Sequence, residues 1–111
     1  METIDAVRAF SALGQPTRLE VLRLLIRTGA PGVAAGEIAE ALGVRQNTLS
    51  ANLAVLRDAG LIGSERHGRS IRYFADMDGL GALLGFLMED CCGGRPERCR
   101  PLSDEVARGR R

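Results

Sequence analysis

The stretch Glu37-Ile38-Ala39-Glu40-Ala41-Leu42-Gly43-Val44-Arg45-Gln46-Asn47-Thr48-Leu49-Ser50-Ala51-Asn52-Leu53-Ala54-Val55-Leu56-Arg57-Asp58-Ala59-Gly60 decides the fold. Its first part reads as a short helix, about Ala35 to Leu42, that turns Ile38 and Leu42 inward and stops at Gly43. Its second part, Gln46 to Ala59, sets Leu49, Leu53 and Leu56 at i, i+4 and i+7, one apolar helical face. Gln46, Asn47, Ser50 and Asn52 are assigned to the other faces, all polar and none charged. Lys and Glu would dominate an ordinary solvated face, so these uncharged positions stand out. Gly60 ends the helix.

Upstream, Ile4, Val7, Phe10 and Leu13 recur at near-helical spacing until Gly14-Gln15-Pro16 breaks the run. Pro16 suits a first helical position. From Thr17 to Thr28 the positions Leu19, Leu22, Leu25 and Ile26 form the inner stripe of another helix, and Gly29-Ala30-Pro31-Gly32 is a loop. Downstream, two β-prone runs, Leu61 to Arg66 and Ile71 to Ala75, flank His67-Gly68-Arg69-Ser70 and predict a hairpin whose tip gathers Arg66, His67, Arg69 and Arg72. A last helix, Met77 to Cys91, aligns Met77, Leu80, Leu84, Leu87 and Cys91, with Leu83 and Met88 flanking them. Gly79, Gly81 and Gly85 interrupt it, at about 1 kcal/mol each relative to Ala. Close backbone packing, as between two copies of the helix, would offset that cost. The stripe exceeds what one small core needs, so this helix and the first are expected to form a dimer seam.

The parts amount to a mainly α fold with a small β-hairpin: a winged helix-turn-helix, expected as a homodimer. Composition agrees. A chain of 111 residues is one domain's worth, which rules out a multidomain enzyme. With 45% hydrophobic and 26% charged residues it is globular rather than disordered, and 4% aromatics without Trp favour helix over a β-sandwich. No stretch approaches the ~20 apolar residues of a membrane span, and Met1-Glu2-Thr3-Ile4-Asp5 is not a secretory signal, so a cytoplasmic location is expected. The net charge of +1 hides a polarised distribution: residues 44–75 carry five Arg against Asp58 and Glu65, whereas residues 76–92 carry four acids and no base. No catalytic constellation emerges, and no permanently bound cofactor is expected.

Double-stranded DNA is the partner this arrangement suits. Gln46, Asn47 and Ser50 donate and accept as reading base edges requires, the helix's amino end attracts phosphate, and an Arg-tipped hairpin can follow the backbone. The candidate DNA-binding set is Arg45, Gln46, Asn47, Thr48, Ser50 and Asn52 on the helix and Arg66, Arg69 and Arg72 on the wing.

Three ordered motifs carry a family resemblance: Ala12-Leu13-Gly14-Gln15-Pro16-Thr17-Arg18-Leu19-Glu20-Val21-Leu22-Arg23-Leu24-Leu25, then Glu37 to Gly43, then Asn47 to Ile62. Over roughly residues 4 to 90 the chain resembles the ArsR/SmtB family of metal-sensing repressors. The resemblance implies a homodimeric repressor that binds an operator without metal and leaves it when metal binds. The family's Cys-x-Cys site before the reading helix has no counterpart in Val33-Ala34-Ala35-Gly36-Glu37-Ile38, and the last helix lacks the His of its zinc site. What remains is Cys91-Cys92-Gly93-Gly94-Arg95-Pro96-Glu97-Arg98-Cys99, which resembles an arsenite-sensing subgroup with a C-terminal cysteine triad.

Ligand chemistry points the same way. Trivalent arsenic, like Sb(III), is thiophilic and prefers three thiolates in a pyramid, whereas structural Zn²⁺ usually needs a fourth ligand. Gly93-Gly94 and Pro96 let the chain reverse so that Cys99 can join Cys91 and Cys92, and Arg95, Arg98 and Arg100 favour thiolates. Three incidental thiols, with Cys91 as a last core residue, would leave Cys92 and Cys99 unexplained. His67 has no second His to partner it and reads as a phosphate or solvent contact, Met77 and Met88 as packing, and Asp76, Asp78, Glu89 and Asp90 as a solvated acidic face. The expectation is therefore a DNA-binding and dimerisation domain over residues 1–92 and a tail over 93–111 whose Arg-rich end is disordered. The expected function is a repressor released by As(III) or Sb(III) at Cys91, Cys92 and Cys99. The same fold sensing organoarsenicals, Cd²⁺ or Pb²⁺, or oxidants through these thiols is an alternative. A small thiol oxidoreductase or metal carrier is a second, disfavoured by the lack of Cys-x-x-Cys.

Overall fold

A computed structural model describes residues 1–89 and 100–108. Among the described residues six helices and three short strands follow in the order α1 (Thr3–Leu13), α2 (Pro16–Thr28), β1 (Val33–Ala34), α3 (Ala35–Leu42), α4 (Gln46–Asp58), β2 (Ile62–His67), β3 (Ser70–Ala75), α5 (Met77–Leu87) and α6 (Arg100–Arg108). The expected mainly helical, winged architecture is what the chain forms.

Local chemistry explains the boundaries. Gln15 caps α2, its Oε1 accepting from the Arg18 backbone N–H at 2.8 Å, with Pro16 in the first turn where no N–H is missed. Between α3 and α4 Gly43 is left-handed (φ 67°), and the Gly43 and Val44 N–H groups donate to the Glu40 and Ala39 carbonyls, a Schellman closure that turns the chain sharply into the next helix. The wing is a two-residue hairpin in which Glu65 faces Arg72, Arg66 faces Ile71 and His67 faces Ser70. A third strand, absent from the sequence reading, completes it: β1 pairs with β3, Val33 to Tyr73 and Ala34 to Arg72, giving the order β1-β3-β2.

The core joins Val21, Leu22 and Leu25 of α2, Ile38 of α3, Leu49, Leu53 and Leu56 of α4, Leu61, Ile62 and Leu83. One expectation is corrected there. On α2, Leu19 and Ile26 lie exposed and Val21 takes the inner position. On α1 the buried residues are Ala6, Ala9 and Ala12, small enough for close helix approach, while Ile4, Val7 and Phe10 face outward. On α5 the flanking Leu83 enters the core and the stripe Met77, Leu84 and Leu87 is exposed. The helix also closes earlier than expected, at Leu87, where the Met88 and Glu89 N–H groups turn back to the Leu84 and Phe86 carbonyls. Gly79 answers to a contact within the chain: a Cβ there would run into the Gly60 carbonyl oxygen. The stretch assigned to a tail contains α6, which ends at Arg108. Among the described residues no helix is long and apolar enough to cross a membrane.

Candidate nucleic-acid interface

Of the residues proposed to bind DNA, Gln46, Asn47, Thr48 and Ser50 all stand exposed in the first turns of α4, with Arg45 at its N-cap position. Leu49, Leu53 and Leu56 fix the opposite face in the core, so the outward presentation of this polar turn follows from the burial of the leucines. Gln46 leans over Gly36, its Nε2 close to where a side chain at position 36 would begin. Asn47 folds its Oδ1 onto the Thr48 backbone N–H at 2.9 Å, satisfying one donor of a helix start that lacks a side-chain N-cap. The remaining first-turn N–H groups and the positive end of the helix dipole favour a phosphate in front of this turn.

Asn52 is a correction. Grouped with the readers because it is polar, it is buried, 7% exposed, and its Oδ1 accepts from Arg18 Nη1 at 3.0 Å. It faces α2, and its spacing carries the signal: three residues after Leu49 and four before Leu56, it falls on the inner face. The partner, Arg18, had no such mark in the sequence.

In the wing, Arg66 and Arg69 are exposed, Arg69 in the turn itself. Arg72 stands apart from them. It is half-buried in β3, opposite Glu65 and beside β1, and its Nη2 lies 3.7 Å from Glu37 Oε1. Glu37 Oε1 also accepts from the Ala34 N–H at 3.0 Å, so this carboxylate joins α3, β1 and the central strand. His67 Nε2 sits 2.8 Å from Glu65 Oε1, a contact within the wing. Among the described residues, Arg66 and Arg69 of the tip are thus the ones left exposed without a carboxylate contact.

Cys91, Cys92 and Cys99, proposed as metal ligands, lie outside the described residues. Among the described residues no group of three or more His, Cys, Asp or Glu side chains is placed to hold a metal ion. An open apolar cleft of about 630 Å³ lies between α2, the wing and the start of α5, lined by Leu25, Ile26, Phe74 and Met77 with Glu65 at its edge.

A helix-turn-helix domain model matches residues 13–64, the span from the end of α1 into the wing. The chain is 33% identical to the HTH-type transcriptional regulator YgaV of Escherichia coli (strain K12) over 88 residues, covering 79% of this chain and 87% of that protein. An ArsR-like transcriptional regulator from Rhodococcus sp. RHA1 superposes with a TM-score of 0.70 at 27% identity, covering 96% of each chain. The homodimeric winged helix-turn-helix DNA-binding domain of Mb0332 from Mycobacterium bovis, a possible ArsR-family transcriptional regulator, superposes with a TM-score of 0.62 at 30% identity, covering 82% of this chain and 84% of that one. The architecture, the exposed polar turn of α4 and these likenesses lead to one conclusion: the chain belongs to the ArsR family of winged helix-turn-helix, DNA-binding transcriptional regulators.

Proposed function

We propose that the protein is a cytoplasmic, homodimeric repressor that occupies an operator through α4 and the wing and is released when As(III) or Sb(III) binds Cys91, Cys92 and Cys99. The observation that carries the DNA half is the exposed, uncharged turn Gln46, Asn47, Thr48 and Ser50, together with the exposed wing arginines Arg66 and Arg69. The inducer half rests on donor chemistry: three thiols fall within nine residues, beginning four residues past the end of α5. Three soft sulfurs match a pyramidal trivalent metalloid and fall one ligand short of tetrahedral zinc. A dimer grips two half-sites when its reading helices sit about 34 Å apart. A ligand that closes the segment beyond α5 releases DNA only if it binds the DNA-incompetent arrangement more tightly.

The test begins with a duplex selected by the protein itself from a randomised library, titrated with As(III), Sb(III), methylated As(III), Cd²⁺, Pb²⁺, Zn²⁺ and peroxide. As(III) or Sb(III) should release it at the lowest concentration. The variants Cys91→Ser, Cys92→Ser and Cys99→Ser should each still bind the duplex yet respond weakly or not at all. Release of Cys99→Ser at parental arsenite concentrations would leave a vicinal Cys91-Cys92 sensor for an organoarsenical or an oxidant as the better account.

A further inference from the structure

Among the described residues Asn52 is the one buried polar residue. A buried amide is costly unless it finds a partner, and Asn52 finds a charged one in the Arg18 guanidinium. The same guanidinium makes a second bond: its Nε donates to the Ala12 carbonyl at 2.6 Å. Ala12 belongs to the last turn of α1, whose terminal carbonyls have no partner within the helix and which carries no basic residue of its own. Arg18 supplies that positive charge from α2, while its backbone N–H is fixed by the Gln15 cap. One side chain therefore ties the end of α1 and the start of α2 to the middle of α4.

The other contacts of α4 with the core are made by leucines. Those leucines decide which face of α4 looks outward, and a hydrogen bond from a charged donor, being directional, narrows the rotation further. At about 100° per residue, Ser50 lies about 200° around the helix from Asn52, so the rotation that keeps Asn52 on Arg18 also turns Ser50 outward.

From this geometry we infer that the Arg18–Asn52 hydrogen bond sets the orientation of α4 against the α1–α2 pair, making Arg18 and Asn52 positioning residues for sequence-specific DNA recognition. The inference rests on α4 being the reading helix. Asn52, being buried, acts through the helix rather than on a base.

The experiment measures binding to the duplex selected by the parent protein and to an unselected duplex, together with thermal midpoint and mass. Asn52→Leu removes the acceptor and keeps the number of side-chain heavy atoms, Asn52→Asp keeps an acceptor for Arg18, and Arg18→Met breaks the bond from the other side. Asn52→Leu and Arg18→Met are expected to bind the selected duplex about tenfold more weakly, the worth of one charge-assisted hydrogen bond, with little change on the unselected one. The double variant should lose no more than the worse single, and Asn52→Asp should stay within about threefold of the parent. A folded Asn52→Leu that binds the selected duplex as the parent does overturns the inference. So does an equal loss on both duplexes, or an Asn52→Asp that behaves like Asn52→Leu. If Asn52→Leu does not fold, Arg18→Met decides on the same readings, since its substituted side chain is only half-buried. A parent that selects no sequence at all would remove the DNA-reading assignment itself.

Discussion

The proposed base readers and the proposed backbone contacts separate at the level of single residues. Gln46 and Ser50 offer uncharged donors and acceptors at the exposed start of α4, so alanine at either should weaken the selected duplex by about 1–3 kcal/mol while sparing random DNA. Equal losses on both duplexes would remove the reading role. Arg69 lies in the exposed wing turn, and Arg69→Ala should flatten the slope of log affinity against log salt by about one unit. Arg72→Ala should do something else. Its side chain is half-buried in β3 with Nη2 3.7 Å from Glu37, so truncating it loses packing and that contact, and should lower the unfolding midpoint and leave the salt slope nearly unchanged. A slope change as large as that of Arg69→Ala would put Arg72 on the DNA after all. The same pair shows what a sequence reveals at this scale. Residue type marked both as bases, but pairing with β1 and α3 took Arg72 out of the tip, and no local pattern announces a partner 35 residues away.

Among the secondary-structure elements, boundaries written in local chemistry were legible and those imposed by neighbours were not. Pro16 and Gly43 announce the start of α2 and the turn into α4 in the sequence itself. The two residues of β1 are too few to show a period and become a strand only because β3 offers an open edge. The glycines of α5 divide on the same principle. At Gly79 alanine should gain up to about 1 kcal/mol of helix propensity but force the helix away from the Gly60 carbonyl, and overpacking of that kind costs about 1–3 kcal/mol. Gly79→Ala is therefore expected to lower the unfolding midpoint in denaturant. At Gly85 no atom among the described residues would meet a new Cβ, so Gly85→Ala should stabilise the subunit and lose that gain only if a second copy packs there. A stable Gly79→Ala would mean that the junction of α4 and α5 yields more easily than its close approach suggests.

Across the whole molecule the decisive feature is apolar surface that the described residues leave exposed. Ile4, Val7 and Phe10 on α1 are 68%, 60% and 44% exposed, and Leu84 and Leu87 on α5 are 59% and 54% exposed. A single exposed leucine needs no explanation, but two stripes on helices that touch each other mark an association surface. These were the residues the sequence reading assigned to a seam, from an excess of apolar positions over the needs of one core. A second copy laid across both helices would bury them, and a reader of two half-sites needs that copy in any case. Leu84→Glu separates the two roles of the surface. In an isolated subunit an exposed position tolerates the change within about 0.5 kcal/mol, whereas a carboxylate left unpaired in a seam costs several kcal/mol. The variant should therefore keep the helical circular-dichroism signal of the parent, sediment at half its mass, and bind the selected duplex far more weakly because each subunit then holds one half-site alone. A folded Leu84→Glu that sediments as a dimer and binds the duplex at parental affinity would place the seam on another face, and the stripes of α1 and α5 would then await a different partner.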